Sequence, residues 1–204
     1  MIETNKERQA PQKVEDTEPT HLARYQFALN YVNGDDIVLD VPCGSGYGAN
    51  LLSKKAKKVI GIDVHEGAIK HAKEFFQKDN IEFFTHDAEE LSGLFVDQNL
   101  FDVVVSLEGI EHVSNPNNFL NEIRKNINPH GKLIISTPRK PHGSPYHNIE
   151  FSLDEFRDVL SKEFKIDAMY GQIYTDIFDL RLREEDPYSY KKFNFIAECS
   201  LKKF

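Results

Sequence analysis

Four carboxylates in this chain follow short apolar runs: Asp40 after Ile37-Val-Leu, Asp63 after Val59-Ile-Gly-Ile, Asp87 just past Ile81-Glu-Phe-Phe-Thr, and Glu108 after Phe101-Asp-Val-Val-Val-Ser-Leu. A carboxylate at such a place accepts hydrogen bonds from hydroxyls and amines, or faces a cation. Directly behind Asp40 comes Val41-Pro-Cys-Gly-Ser-Gly-Tyr-Gly, with glycines at 44, 46 and 48. These let the backbone turn sharply and approach a ligand closely. That arrangement is the floor of a site for a nucleoside cofactor. A pyrophosphate-bearing cofactor would rest on the following helix N-terminus, where an acidic side chain repels it. Asp40 at the loop mouth suits a cationic ligand better.

A second group is Glu108-Gly-Ile-Glu111-His112, with His147 later in the chain. If the first five residues form a helical turn, Glu108 shares a face with Glu111 or His112. An imidazole or carboxylate here can take a proton from an oxygen nucleophile, so His112, Glu111 and His147 are the catalytic candidates. A divalent cation that acidifies a hydroxyl would be held by Glu108, Glu111, His112 and His147. The expectation is nevertheless no metal: Glu111 capping a turn and His112 packing under a loop is the plainer reading, and the mixed donor set selects no one metal.

The elements that must position these groups alternate in type. Leu22, Tyr25, Phe27, Ala28, Leu29 and Tyr31 recur at helical spacing before Asn33-Gly34. Strands are predicted over 37–40, 59–63, 81–85, 101–107 and 132–136, with helices from Ala49 to about Lys55 and from Glu66 to Gln77 between them. Phe101 to Leu107 is apolar on both sides, as a central parallel strand requires. Asn115-Pro116 gives an N-cap and a first-turn proline to a helix that Pro129-His130-Gly131 should stop. Ser152-Leu-Asp-Glu155 is a capping box opening another helix, followed by a strand over 164–170. Phe193, Phe195, Ala197, Cys199 and Leu201 alternate with polar or smaller residues, which predicts a last strand near the sheet edge. The fold class is therefore α/β: a Rossmann-like open sheet, mostly parallel with an antiparallel strand near the C-terminal end, and helices on both faces. Ligands in such sheets bind beyond the carboxyl ends of the strands, so the four carboxylates should surround one crevice.

With 204 residues, 40% hydrophobic and 28% charged, the chain suits one domain over 19–204, preceded by a polar tail or lid over 1–18. No stretch approaches the roughly 18 apolar residues of a membrane span, and the first residues lack a signal peptide's apolar core, which predicts a cytoplasmic protein. Cys43 and Cys199 are too few for a disulfide framework, and Cys43 is expected to pack in its loop. A net charge of −8 weighs against nucleic acid as partner.

In this order and spacing the segments resemble the class I S-adenosylmethionine-dependent methyltransferases. The matching residues are 39–48, Gly-Ile-Asp at 61–63, His-Asp-Ala at 86–88, 101–106, Glu-His-Val at 111–113, and Pro-His-Gly-Lys-Leu-Ile-Ile-Ser-Thr-Pro at 129–138. The resemblance covers roughly residues 20–165. It implies S-adenosyl-L-methionine as cofactor, bound by Asp40, Pro42, Cys43, Gly44, Ser45, Gly46, Asp63, Val64, Asp87, Ala88 and Leu107. Asp40 would face the ammonium, Asp63 both ribose hydroxyls, and Asp87 the adenine amino group with the Ala88 amide beside it. A nicotinamide site also places a carboxylate like Asp63 on a ribose, but Asp40 and Asp87 disfavour it. Pro42 stands where the family usually has glycine; it fixes φ and removes an N–H. Tyr25 and Tyr47 either cover the cofactor or pack in the core.

The Glu-x-x-Glu-His pattern resembles ubiquinone-pathway O-methyltransferases and, with His147, small-RNA 2′-O-methyltransferases. Ser144 to Phe156 resembles the stretch after the fifth strand in methyltransferases of sugars, surface polysaccharides and other small hydroxylated metabolites. Tyr146, His147 and Glu150 would touch the acceptor there or merely order the loop. Residues 171–192, including Tyr174, Asp176, Arg181, Arg183 and Tyr188, would form the other acceptor wall. The leading expectation is methyl transfer to a hydroxyl of a small molecule or sugar by a monomer or homodimer. A metal-assisted RNA 2′-O-methyltransferase and a non-catalytic cofactor-binding protein are the alternatives.

Overall fold

The structure is a computed structural model that describes residues 9–95, 100–182 and 193–202. Its centre is an eight-stranded sheet: β1 (Ile37–Asp40), β2 (Lys58–Asp63), β3 (Ile81–Thr85), β4 (Phe101–Leu107), β5 (Ile127–Pro138), β6 (Phe164–Ile173), β7 (Asp176–Asp179) and β8 (Asn194–Leu201). Their spatial order is β3-β2-β1-β4-β5-β8-β6-β7. The first five run parallel, β8 is antiparallel to both neighbours, and β6 and β7 form a hairpin. The helices are α1 (Pro19–Ala28), α2 (Tyr47–Leu52), α3 (Glu66–Phe75), α4 (Leu91–Leu94), α5 (Pro116–Asn126) and α6 (Leu153–Glu163).

Side-chain alternation along the strands feeds two separate cores. Leu39, Val104, Leu133 and Ile135 point to the face covered by α5 and α6, where Phe119, Leu120, Phe156 and Leu160 meet them. Val38, Val103, Val105 and Ile134 point to the other face, under Tyr25 and Ala28 of α1, Leu52 of α2 and Ile69 of α3. Each such fully buried side chain contributes about 1.5–3 kcal/mol through area removed from water. The helix starts obey their sequence signals. Asn115 caps α5 by accepting from the Asn117 and Asn118 amides, and Ser152 with Glu155 forms the expected capping box on α6.

Three expectations need correction. The last strand does not lie near the sheet edge: β8 is inserted between β5 and β6, and Phe195, Ile196 and Ala197 are buried in succession because both its faces are covered. Strand β5 begins at Ile127 rather than Lys132, so Pro129 lies in the strand and α5 has already ended at Asn126. A register shift opposite Phe101 and Val103 accommodates this segment. Residues 9–18, expected as part of the tail or lid, pack on the body: Pro11 and Thr17 are buried, and His71 of α3 lies 2.7 Å from the Pro11 carbonyl oxygen. No helix among the described residues is long and apolar enough to cross a membrane.

Candidate functional site

The carboxyl ends of β1, β2 and β4 converge as the sequence predicts, but the glycine loop works differently from expectation. Gly44 (φ +54) and Gly46 (φ +91) adopt left-handed backbone that other residues take at a cost. A Cβ at Gly44 would meet nothing within 4 Å, so this residue leaves room for a ligand. At Gly46 a Cβ would lie 2.6 Å from Ala72 Cβ, and at Gly48 it would lie 2.0 Å from the Tyr25 ring. Two of the three glycines thus admit the protein's own side chains. Pro42 is likewise matched inside the protein: a Cβ on Gly109 would fall 2.2 Å from its ring, so the proline needs glycine after β4.

Asp63 ties the loop to β2. Its Oδ2 accepts from the Gly44 amide at 3.0 Å and its Oδ1 from the His65 amide at 2.8 Å, which leaves further lone pairs on each oxygen. Val64 beside it is 68% exposed, an apolar face left uncovered at the strand end. Asp87 and Ala88 begin a single 3-10 turn that Asp87 caps through the Glu89 amide at 2.8 Å. Cys43 and Ser45 are buried; burial raises the Cys43 thiol well above its usual range, so it packs rather than reacts. Leu107 is buried at the end of β4 opposite the loop.

Asp40 is fully buried, with Oδ1 accepting from the Tyr25 hydroxyl at 3.0 Å and Oδ2 without a hydrogen-bond donor. Burial, reinforced by the nearby Asp63 charge, pushes its pKa up to about 8. A buried acceptor lacking a donor is what a cationic ligand would satisfy. Tyr47 stacks edge-on to Tyr25 at 5.6 Å and lies 3.2 Å from His21 Nδ1.

The second group divides. The segment does form a turn, closed by the His112 amide on the Gly109 carbonyl at 3.0 Å. Glu108, held at φ +55, faces α1 instead of Glu111: it pairs with Arg24 at 3.1 Å and accepts from the Asn194 side chain. Arg24 also donates to Gln172 at 2.8 Å. The four residues that would together hold a cation if one were bound are therefore not assembled as a set, because Glu108 is committed elsewhere. Glu111, His112 and His147 do come together, each offering a ligand atom within 4.8 Å of the others. Glu111 is 1% exposed; Oε2 accepts from Thr137 at 3.1 Å while Oε1 has no donor. Burial, then the Glu108 charge, raises its pKa well above the carboxylate range.

The loop over 139–151 docks on this turn. The Asn148 and Ile149 amides donate to the Glu111 carbonyl at 2.9 and 3.2 Å, and the Tyr146 carbonyl lies 3.0 Å from His112 Nδ1. Glu150 orders the loop by accepting from the His142 and Gly143 amides, while Tyr146 is 48% exposed at the rim. On the expected second wall, Tyr174 is exposed and Arg181 pairs with Asp179; Arg183 and Tyr188 lie outside the described residues. Sequence reasoning missed His21, Arg24, Gln172 and Asn194. The available signal was Arg24 on the same helical face as Tyr25 and Ala28, where a charge needs a buried partner.

Comparison with known proteins agrees with this geometry. A family described as "Methyltransferase domain" matches residues 39–135. The "Probable S-adenosylmethionine-dependent methyltransferase" of Mycolicibacterium smegmatis is 30% identical over 160 residues, covering 74% of this chain and 60% of that protein. The mitochondrial ubiquinone biosynthesis O-methyltransferase of Dictyostelium discoideum is 37% identical over 114 residues, 50% of this chain and 35% of that protein. The chain thus spans under two thirds of the length of these relatives. The N-methyltransferase NodS of Bradyrhizobium japonicum, solved with S-adenosyl-L-homocysteine, shares the fold at 16% identity and TM-score 0.70, over 92% of this chain and 90% of that one. The cofactor that these names imply fits what the crevice offers: the donorless Asp40 oxygen, open space above Gly44, and the exposed Val64 beside Asp63. The segment that starts at β1 thus matches a methyltransferase-domain family, and the chain is similar to S-adenosylmethionine-dependent methyltransferases.

Proposed function

We propose that the protein transfers a methyl group from S-adenosyl-L-methionine to a hydroxyl of a small molecule or sugar. The observation that carries this reading is the placement of two chemically distinct groups on either side of the β4 end. Asp40, Asp63 and the glycine loop lie on one side, and Glu111, His112 and His147 on the other. The names of relatives that are O-methyltransferases support oxygen as the acceptor atom.

When bound, the cofactor supplies a methyl on a sulfonium, open to in-line displacement. Asp63 would accept the ribose hydroxyls, Val64 would pack against the adenine, and Asp87 with the Ala88 amide would meet its polar edge. Asp40 would face the ammonium, and the backbone from Pro42 to Gly46 together with Leu107 would line the methionine portion. The residues of the turn and the 139–151 loop would hold the acceptor hydroxyl in line with that methyl, and Glu111, His112 and His147 are the groups that would take its proton. Tyr146 at the loop rim offers an aromatic face to the acceptor.

Calorimetric titration with S-adenosyl-L-methionine, followed by a screen of sugars, phenols and RNA with methyl-labelled cofactor, tests the reading. Cofactor binding with label on a sugar or phenol is the expected result. Binding with no labelled product, or label on RNA alone, contradicts it.

A further inference from the structure

Among the described residues, two that are not glycine have left-handed backbone: Glu108 (φ +55) and Tyr174 (φ +53), the latter in the two-residue turn between β6 and β7. That conformation crowds Cβ, so each needs its surroundings to hold it. One chain of bonds joins the two. Glu108 pairs with Arg24 at 3.1 Å, Arg24 donates to Gln172 Oε1 at 2.8 Å, and Gln172 Nε2 donates to the Tyr174 carbonyl at 2.6 Å and the Thr20 carbonyl at 2.9 Å. Gln172 is 2% exposed, and these bonds occupy both of its donors. At the end of the chain Tyr174 is 71% exposed. Packing alone does not require a strained turn, fixed by a buried amide, that carries an exposed aromatic residue.

We propose that Tyr174 is a specificity-determining residue whose ring lies flat against the ring of a cyclic hydroxylated acceptor, a pyranose or a phenol. The sheet brings its turn to the right rim. Pro138, Asn194 and Gln172 stand in one row across β5, β8 and β6, and Asn194 donates to Glu108 just past the end of β4. Because β8 is antiparallel to both neighbours, β6 runs in the direction of β5, and the β6–β7 turn rises from the same rim as the 139–151 loop that follows Pro138. Two strand spacings, about 10 Å, separate the roots of that turn and that loop. A six-membered ring with an aromatic face on each side takes about 7–8 Å. The gap therefore admits one ring between the Tyr146 rim and the Tyr174 turn, and an open-chain alcohol would leave the Tyr174 face unused. That the ring belongs to a methyl acceptor rests on the O-methyl transfer proposed above; the left-handed backbone and exposure of Tyr174 do not.

The full chain, saturated with S-adenosyl-L-homocysteine, is titrated with methyl α-D-glucopyranoside, catechol or glycerol, and affinity is read by saturation-transfer difference NMR. One of the two cyclic probes should bind, which tells sugar from phenol, and glycerol should not. Stacking on one aromatic ring is worth about 2–10-fold in affinity, so Tyr174→Gly should weaken that probe by this factor while Tyr174→Phe keeps it. Glycine adopts φ +53 freely, so Tyr174→Gly should leave Tm at or above the wild-type value, whereas loss of a ring that merely packs would lower it. Calorimetry should give all three proteins the same affinity for S-adenosyl-L-homocysteine. Equal probe affinity in Tyr174→Gly, loss of the probe in Tyr174→Phe, a lower Tm in Tyr174→Gly, or failure of both cyclic probes to bind the wild type overturns the proposal. No binding of S-adenosyl-L-homocysteine by the wild type overturns the methyl-transfer reading itself, on a signal separate from the probes.

Discussion

The end of the crevice proposed to hold the cofactor and the end proposed to hold the acceptor are built by different means. Around β1 and β2 the contacts join neighbouring strand ends at most 19 positions apart, and every donor is a backbone amide: Cys43 on the Ile62 carbonyl at 2.7 Å, Gly44 on the Asp63 carboxylate, and His65 on the same carboxylate. Around β4 to β8 they are side chains from distant segments. Arg24 reaches Gln172 across 148 positions, Asn194 reaches Glu108 across 86, and the 139–151 loop closes on the 109–112 turn. A site framed by local backbone geometry is fixed once strand and turn form; one framed by distant side chains depends on the whole antiparallel half being in register.

The largest test of that contrast is Arg24→Ala, which leaves Glu108 partly buried without its cation. Allowing for the 23% exposure of Glu108, the loss should be about 2–3 kcal/mol, or about 5–10 °C in Tm by calorimetry. An unchanged Tm would mean that the acceptor end does not rely on this long-range latch. Next is Gly48→Ala at the cofactor end, where the new Cβ meets the Tyr25 ring; overpacking costs about 1–3 kcal/mol, seen as a lower denaturant midpoint. If midpoint and cofactor affinity both stay at wild-type values, Tyr25 does not pack on the loop as described.

Asp40 gives a pH signature. Its folded pKa of about 8 lies above the ordinary carboxylate value, so the unfolded chain loses the proton first as pH rises. The stability from the protonated form is complete in acid and is lost as pH climbs toward about 8; Asp40→Asn should flatten that decline. A cationic ligand prefers the ionised form, so cofactor affinity should increase with pH and level off above about 8. A pH-independent affinity between pH 6 and 8 would separate Asp40 from the ligand. The smallest effect is Ser152→Ala, which removes the α6 cap for about 1 kcal/mol without altering cofactor binding.

The same division explains what the sequence disclosed. Strands β1 to β4, the capping signals and the carboxylates at strand ends are legible because each is encoded within a few residues by apolar runs, Pro, Gly and cap chemistry. The glycine loop was readable as a turn, yet its spacing did not say that Gly46 and Gly48 yield to Ala72 and Tyr25. The place of β8 was misjudged because alternation in Phe193 to Leu201 reports side-chain types, while its neighbours are set by tertiary pairing with β5 and β6. Likewise Glu108 and Glu111 looked like partners from spacing, but the positive φ at Glu108 turns its backbone and its carboxylate meets Arg24 instead.

The central claim is that a crevice framed by Asp63 and the glycine loop holds S-adenosyl-L-methionine. Calorimetric titration of the wild type and Asp63→Ala with that cofactor tests it most directly. The account predicts saturable one-to-one binding that Asp63→Ala weakens at least about tenfold, the worth of hydrogen bonds to a charged acceptor. No binding by a folded wild type, or equal affinity in the variant, would contradict it.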